Sequence, residues 1–270
     1  MNPTIGELVL LGVAVALLTC GMAISLARLW SSAASLRLVA KICDYLGLAA
    51  AIGVIVWHSA ARGAWQPMRD NFDALIWLAI LLALFVMYVQ RVKPITGLDW
   101  FVMPIVMMLL AGAGFFGAHE LHIYQPLRDT WIWVHRVTAY GGAVAFAIAA
   151  PVGAMYVIAS RRLRSKSPGP SFASLERLER LMMSSVTLGF ALLTVGLITG
   201  VVRMIAEKSS PPMPKLLLAS LAWVVYAVVM HAPINPRFRG RRAAILSIFG
   251  FILVFGTLVA VQFMPTGGNG

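Results

Sequence analysis

The stretch Trp131–Ile158, WIWVHRVTAYGGAVAFAIAAPVGAMYVI, is long and apolar enough to cross a bilayer as a single helix. It carries one ionisable ring, that of His135, within its first turns. An imidazole that faced lipid would lose its hydrogen bonds or its charge, so a histidine at such a depth is a candidate for function. The alternative is that His135 merely caps a helix or packs between helices.

The composition of the whole chain points to the same class of protein. Of its 270 residues, 60% are hydrophobic and only 12% are charged, whereas about a quarter of the residues of an ordinary soluble domain are charged. Several windows reach the roughly 20 apolar residues that span a bilayer as a helix. These apolar runs are continuous and do not alternate residue by residue, which excludes an outer-membrane barrel.

Eight apolar segments predict an all-α, polytopic membrane protein, because only helices or closed barrels satisfy the backbone in lipid. A charged amphipathic stretch before the sixth segment, LERLERLM at 175–182, predicts a helix at the membrane surface. Since no internal repeat and no separate soluble region are visible, residues 1–270 are predicted to form a single transmembrane domain, a bundle of about eight helices. The predicted spans are approximately 8–29, 38–59, 75–89, 100–117, 130–160, 184–205, 216–231 and 243–263.

The net charge of +12 comes from arginines and lysines in short loops between the apolar segments. That distribution is typical of membrane orientation and of contact with anionic lipid, so membrane lipids, and not nucleic acid, are the predicted partners. Alternate loops differ in their basic residues, and the more basic set predicts that both termini lie outside. His58, His119, His122 and His135 then lie on the outer side, and His231 lies near the cytoplasmic end of the seventh span.

Histidine is the only residue type in this sequence with both reactive chemistry and unusual placement. A phosphate-binding loop, an HExxH zinc motif and a pair of catalytic carboxylates are absent from the sequence. Cys20 and Cys43 have no metal-ligand spacing and are read as small apolar residues, with neither a disulfide nor a metal site expected. Neutral imidazole is a good ligand for haem iron, which makes haem the cofactor to consider.

Three stretches resemble the cytochrome c assembly superfamily, the CcsA/ResC type with its relatives HemX and YpjD, over nearly the whole chain. The first is RGAWQPMRDNFDALIW at Arg62–Trp77, similar to the family's loop before the third span. The second is Trp131–Ile158, with a W-x-x-x-H start to the fifth span. The third and most specific is Leu221–Phe263, in which W-x-x-Y-x-x-x-x-H ends the seventh span and a basic loop with Arg-Arg-Ala follows.

The resemblance implies two haem-iron ligands. His135 matches the family's external ligand at the start of the fifth span, and His231 matches the histidine that receives haem towards the cytoplasmic end of the seventh. The family's tryptophan-rich motif is missing from Gly200–Lys215, and the external histidine after the last span is replaced by Gly267–Gly270. These departures favour the HemX/YpjD-type branch over the synthases, so this chain is not expected to attach haem to cytochrome c by itself.

The predicted function is haem binding or haem handling in cytochrome c assembly and haem transport, in a bacterial cytoplasmic (inner) membrane. Haem b is the expected cofactor or cargo, and other cytochrome c assembly proteins are expected partners. The second hypothesis is a non-catalytic scaffold or regulator of tetrapyrrole biosynthesis, as in HemX, which contacts an enzyme of that pathway through the basic segment Arg161–Lys166. A small-solute transporter is a third interpretation, less favoured because no inverted repeat is visible.

Other residues have two interpretations each. His58, beside Trp57, is read more readily as an interfacial belt residue than as a ligand. His119 and His122 are read as part of a solvated loop, with replacement of the lost external ligand as the alternative. Further candidate ligands or haem contacts are Met264, Asn269, Arg128, Arg136, Trp131, Trp133 and Trp223.

Overall fold

A computed structural model describes residues 3–27, 34–63, 71–92, 94–95, 97–116, 130–165, 173–207, 213–231 and 239–263. The described residues form helices and turns and contain no strand. The helices, in chain order, are α1 (Ile5–Ala27), α2 (Ala34–Ala61), α3 (Asn71–Val92), α4 (Leu98–Phe116), α5 (Thr130–Ser165), α6 (Leu175–Glu207), α7 (Met213–Met230) and α8 (Arg241–Phe263).

Seven of these helices are long and apolar enough to cross a membrane, and α7 adds a shorter apolar helix at Leu216–Met230. The prediction of an all-α polytopic membrane protein with about eight spans is therefore confirmed. Each predicted span corresponds to one helix, and every helix except α5 begins before the predicted start of its span.

The largest difference in boundaries concerns α5 and α6. Helix α5 continues through the arginine-rich residues to Ser165, and the stretch 175–182 forms the first turns of the 33-residue α6. The prediction of a surface helix at 175–182 is wrong, because Leu178 and Met182 on this stretch are fully buried. Their burial fixes the amphipathic turns to the rest of the bundle as the beginning of α6.

The helices separate into two compact units, Met1–Leu121 (unit 1) and His122–Gly270 (unit 2). In unit 1, α1 packs against α2 and α4, and α3 packs against α4. Gly47 of α2 allows the close approach of α1, because a Cβ there would lie 2.8 Å from the side chain of Leu18. The single transmembrane domain expected from the sequence stays a prediction.

In unit 2, α5 packs against α6 and α8, and α7 packs against α8 and α6. The rings of Phe146 and Tyr226 stack at the centre of this unit, with centroids 3.6 Å apart. Each ring lies against a glycine, Gly189 beside Phe146 and Gly250 beside Tyr226. Lipid tails are as apolar as these side chains, so close van der Waals packing at small residues is what favours helix association here.

Candidate functional site

His135 lies on the second turn of α5 and faces α6. Its ring nitrogen Nδ1 is 2.8 Å from the backbone carbonyl oxygen of Gly196. A carbonyl oxygen can only accept, so Nδ1 carries the proton and donates it, and the neutral ring then has its lone pair on Nε2. The half-buried imidazole is therefore fixed in one tautomer with one ring edge committed to α6.

Helix α6 is shaped to receive this ring by the sequence Gly196-x-x-x-Gly200. A Cβ at Gly200 would lie only 3.0 Å from Cε1 of His135, and one at Gly196 would lie 3.4 Å from the backbone nitrogen of Ala139. Small residues at this spacing let two helices approach closely in a membrane. The two glycines thus bring α5 near enough for the imidazole to reach the α6 backbone.

Thr199 of α6 also contacts the His135 ring. Its hydroxyl oxygen is 3.4 Å from Nδ1 of His135. The same hydroxyl contacts the carbonyl oxygens of Val195 at 2.8 Å and Gly196 at 3.1 Å. His135 and Thr199 therefore share the Gly196 carbonyl, and together they make one polar site between α5 and α6. We call His135, Gly196, Thr199 and Gly200 the imidazole seat.

His231 directly follows α7 and is exposed. Its Nδ1 is 2.7 Å from the carbonyl oxygen of Ala227, and its backbone nitrogen donates to the carbonyl of Val228 at 3.1 Å. The carbonyl partner again assigns the proton to Nδ1 and the lone pair to Nε2. His231 therefore presents an accessible imidazole at the end of a helix, not a side chain enclosed within a span.

The two histidines lie at opposite ends of unit 2. His135 lies beside Gly196 and Gly200 of α6. Met230, the residue before His231, lies beside Thr187 of α6, with 3.5 Å between the Met230 sulfur and the Thr187 hydroxyl. At 1.5 Å per residue these two positions on α6 are separated by roughly 15 Å along the helix. The structure does not bring His135 and His231 together, so within one chain they mark two separate positions and not two ligands of one iron.

The three tryptophans named above as candidate haem contacts have different surroundings. The indole nitrogen of Trp223 donates to the hydroxyl of Thr194 at 2.9 Å, and its ring lies 5.5 Å from that of Phe190. These contacts assign Trp223 to packing between α6 and α7. Trp131 is 57% exposed, one turn before His135, and Trp133 is half-buried.

Sequence reasoning missed a buried polar cluster in unit 1 that contains His58. His58 and Glu7 are each only 1% exposed, and Nδ1 of His58 is 3.2 Å from Oε2 of Glu7. The same carboxylate oxygen accepts from the backbone nitrogen of Thr4 at 2.8 Å, and the Thr4 hydroxyl accepts from the Glu7 backbone nitrogen at 3.3 Å. His58 is thus enclosed and paired with a carboxylate, and its interpretation as an interfacial belt residue is wrong.

A second buried ion pair lies beside the first. Arg62, in the turn after α2, pairs with Asp73 in the first turn of α3, and their side chains are 6% and 1% exposed. The ring of His58 also contacts Phe72, with centroids 5.0 Å apart. One signal for this cluster was present in the sequence: Thr4-x-x-Glu7 is a helix-capping pattern that places the only acid of the first span at its beginning.

Several candidates fall outside the described residues: His119, His122, Arg128, Met264 and Asn269. Among the described residues, no group of three or more His, Cys, Asp or Glu side chains could hold a bare metal ion. Cys20 and Cys43 are free thiols. The candidate ligands that remain are single imidazoles, which suit a metal already held by a macrocycle, because the porphyrin supplies the other four ligands.

The fold and these settings define a polytopic helical membrane protein that presents carbonyl-anchored imidazoles at two ends of one helical unit. Comparison with known families gives the particular group. The family model described as cytochrome C assembly protein matches residues 65–267. The chain therefore belongs to the cytochrome c assembly protein family, which confirms the resemblance seen in the sequence and its role in cytochrome c assembly.

Curated relatives are similar to this chain over about three quarters of its length. The cytochrome c biogenesis protein CcsA of Prochlorococcus marinus (strain MIT 9312) is 26% identical over 231 residues, 74% of each chain. The protein of that name from Synechococcus sp. (strain CC9902) is 25% identical over 237 residues, 75% of this chain and 78% of its own. That of Mesostigma viride is 20% identical over 230 residues, 74% of this chain and 75% of its own. No solved structure matches.

Proposed function

We propose that this chain binds haem in the course of cytochrome c assembly, with His135 as a ligand of the haem iron at one end of unit 2. The observation that carries the proposal is the imidazole seat, in which Nδ1 of His135 is 2.8 Å from the Gly196 carbonyl. Histidines that ligate metals usually donate their other ring N–H to a carbonyl or carboxylate, which fixes the tautomer and raises the basicity of the ligating nitrogen. The donor chemistry of His135 therefore fits haem iron.

His231 is proposed as a second, separate haem position at the opposite end of unit 2. Its Nδ1 is likewise committed to a backbone carbonyl, that of Ala227, so the same argument assigns Nε2 as its ligating atom. Its exposure suits a site that exchanges its cargo, since solvent and incoming ligands can reach the ring. Two separated imidazoles suit a chain that receives haem at one position and presents it at another.

Finer assignments complete the proposal. The haem would be haem b, and Nε2 of His135 and of His231 would be the atoms that hold its iron at the two positions. The membrane is a bacterial cytoplasmic membrane, with both termini outside, so that His135 lies at the outer face and His231 at the cytoplasmic face. The partners are haem and other proteins of cytochrome c assembly.

The regulator of tetrapyrrole biosynthesis is not favoured as an alternative. The family and the relatives that match this chain carry the names cytochrome c assembly protein and cytochrome c biogenesis protein CcsA. Membership of the HemX/YpjD-type branch rests on the missing tryptophan-rich motif and stays a prediction.

The test is the visible absorption spectrum of the detergent-purified chain, with wild type beside His135→Ala and His231→Ala. We expect a Soret band in wild type, and a loss or shift of that band in each variant after reconstitution with haemin. Added imidazole should restore the Soret band of His135→Ala towards that of wild type, because it replaces the missing ligand. A wild type that takes up no haemin, or variants with unchanged spectra, would contradict the proposal.

A further inference from the structure

Two basic segments lie at one end of unit 2, the end where α5 finishes and α8 begins. The structure describes six arginines here, of which five are exposed and one is half-buried. We call this set the basic end. Its arginines are Arg161, Arg162, Arg164, Arg239, Arg241 and Arg242.

Close packing between α5 and α8 brings the two segments together. A Cβ at Gly153 of α5 would lie 3.0 Å from the carbonyl oxygen of Ala244 on α8, and a Cβ at Gly240 would lie 2.7 Å from the Tyr156 hydroxyl. Glu179, Arg164 and Arg239 all lie near enough to that hydroxyl for their charges to influence it. Arginines at the end of α5 and at the start of α8 thus belong to one surface.

Acidic side chains near this surface are already engaged. Glu179 accepts a hydrogen bond from the backbone nitrogen of Gly240 at 3.3 Å, where it caps the start of α8. Glu176 pairs with Arg180, four residues further along α6, at 2.6 Å. Among the described residues, six arginines against these two carboxylates give the basic end a positive charge, which fits an anionic ligand.

An exposed apolar stripe continues from the basic end along α8. Arg241 is followed at helical spacing by Ile245, Phe249 and Ile252, all exposed and all on one face of the helix. From Arg241 to Ile252 the stripe measures roughly 16 Å at 1.5 Å per residue. That length is about half of the ~30 Å hydrocarbon core, the thickness of one leaflet.

We propose that the basic end binds the phosphate headgroup of an anionic phospholipid, with an acyl chain along the α8 stripe. Guanidinium groups form charge-assisted, often bidentate, hydrogen bonds to phosphate. The candidate spans Trp133–Ser165 and Arg241–Leu258 include arginines of this set at one end each, so the charges lie at headgroup level. An acidic protein segment would pair with the arginines but would leave the apolar stripe uncovered. A phospholipid pairs with the arginines through its phosphate and covers the stripe with an acyl chain.

Thermal unfolding and native mass spectrometry of the full-length chain in a neutral detergent test this site. Phosphatidylglycerol is titrated against phosphatidylcholine of the same acyl chains, with wild type beside the triple variant Arg164→Gln, Arg239→Gln and Arg241→Gln. We expect wild type to retain phosphatidylglycerol preferentially. Each arginine near a membrane surface contributes about fivefold to such binding, so the triple variant should bind on the order of 100-fold more weakly.

A control removes two exposed charges in unit 1, with Lys41→Gln and Arg91→Gln, and should keep the wild-type preference. Glycerophosphoglycerol, which has the headgroup but no acyl chains, and inorganic phosphate should stabilise wild type far less than the lipid. Phe249→Ala should weaken lipid binding without removing a charge. If the triple variant does not fold, the single variant Arg241→Gln should show its own loss of about fivefold.

Three results would overturn the proposal. The first is equal retention of phosphatidylglycerol and phosphatidylcholine by wild type. The second is an equal loss in the triple variant and its control, which would make the effect one of net charge. The third is full stabilisation by inorganic phosphate or glycerophosphoglycerol, which would assign the surface to a soluble anion.

Discussion

Each unit of this protein holds a histidine near the end of a helix, but the two rings have different partners. In unit 1, His58 is buried and paired with the carboxylate of Glu7. In unit 2, His135 is half-buried and bound to the backbone carbonyl of Gly196. Either kind of partner can orient an imidazole that ligates a metal, but His58 is only 1% exposed, whereas His135 is half-buried. The comparison teaches that access to the ring, more than its hydrogen-bond partner, separates a structural imidazole from a candidate ligand.

The difference extends to how each unit is held together at these positions. The His58 cluster joins the ends of α1, α2 and α3 through two buried ion pairs, Glu7 with His58 and Arg62 with Asp73. The imidazole seat joins α5 to α6 through glycines and one carbonyl. We therefore expect substitutions in unit 1 to change stability most, and substitutions at the seat to change haem binding most.

The largest expected effect is on the stability of unit 1. Glu7→Leu leaves a buried imidazole without its carboxylate, and removal of one partner of a buried ion pair costs about 3–5 kcal/mol in the free energy of unfolding. The double variant Glu7→Leu, His58→Leu should be much less destabilised, because apolar residues can replace a buried pair at little cost. Denaturant titration in detergent measures both. Equal destabilisation of the single and double variants would show that the pair has no such role.

The next effect concerns the core of unit 2. A Cβ at Gly189 would lie 2.6 Å from Cε1 of Phe146, so Gly189→Ala forces the stacked Phe146–Tyr226 pair to shift. Overpacking of this kind costs about 1–3 kcal/mol. Gly12→Ala is the matched control, since nothing lies within 4 Å of its added Cβ. A melting temperature for Gly189→Ala equal to that of the control would contradict the packing described here.

Gly200→Ala should weaken haem binding more than it lowers the stability of the fold. The added Cβ, 3.0 Å from Cε1 of His135, displaces the ring by a few tenths of an ångström and lengthens its bond to Gly196. Loss of a partner that orients a metal ligand weakens metal binding by about 10–100-fold, and we expect the lower end of that range. Haemin titration followed at the Soret band gives the dissociation constants of Gly200→Ala, of wild type and of the control Gly12→Ala. An unchanged dissociation constant for Gly200→Ala would exclude a role for the imidazole seat in haem binding.

The smallest effect is predicted for Thr199→Val. Its hydroxyl is 3.4 Å from Nδ1 of His135, a longer contact than the one to Gly196, and its other hydrogen bonds stay within α6. A hydrogen bond of this kind contributes about 0.5–1.5 kcal/mol, so haem affinity should fall only a few-fold. A loss as large as that of Gly200→Ala would mean that the hydroxyl, and not the carbonyl, fixes the imidazole.

Most of the fold could be predicted from the sequence, because the length of an apolar segment directly indicates a membrane-spanning helix. The start of α5 at Thr130 agrees with the span predicted from about residue 130. Its end was predicted about five residues early, because RRLRS lacks the apolar residues used to recognise a span, although nothing in it breaks a helix. The amphipathic turns of α6 were misjudged for a related reason, since burial of Leu178 and Met182 depends on neighbouring helices.

The candidate site was predictable in its residues but not in its geometry. His135 and His231 were singled out by position and by family resemblance, and their assignment as ligands stays a prediction. The partner of His135 could not be foreseen, because every residue has a carbonyl and only the Gly196-x-x-x-Gly200 spacing hinted at a close helix. The pairing of His58 with Glu7 required knowledge that α1 and α2 lie side by side.

The most direct measurement is the ratio of haem to protein after reconstitution of His135→Ala beside the double variant Glu7→Leu, His58→Leu. Both variants remove one imidazole, one from the seat and one from the buried ion pair. The account predicts that His135→Ala loses the haem bound at the imidazole seat and regains it with added imidazole, while the double variant binds haem as wild type does. Equal haem content in His135→Ala and wild type, or a loss confined to the double variant, would contradict the assignment of the ligand to unit 2.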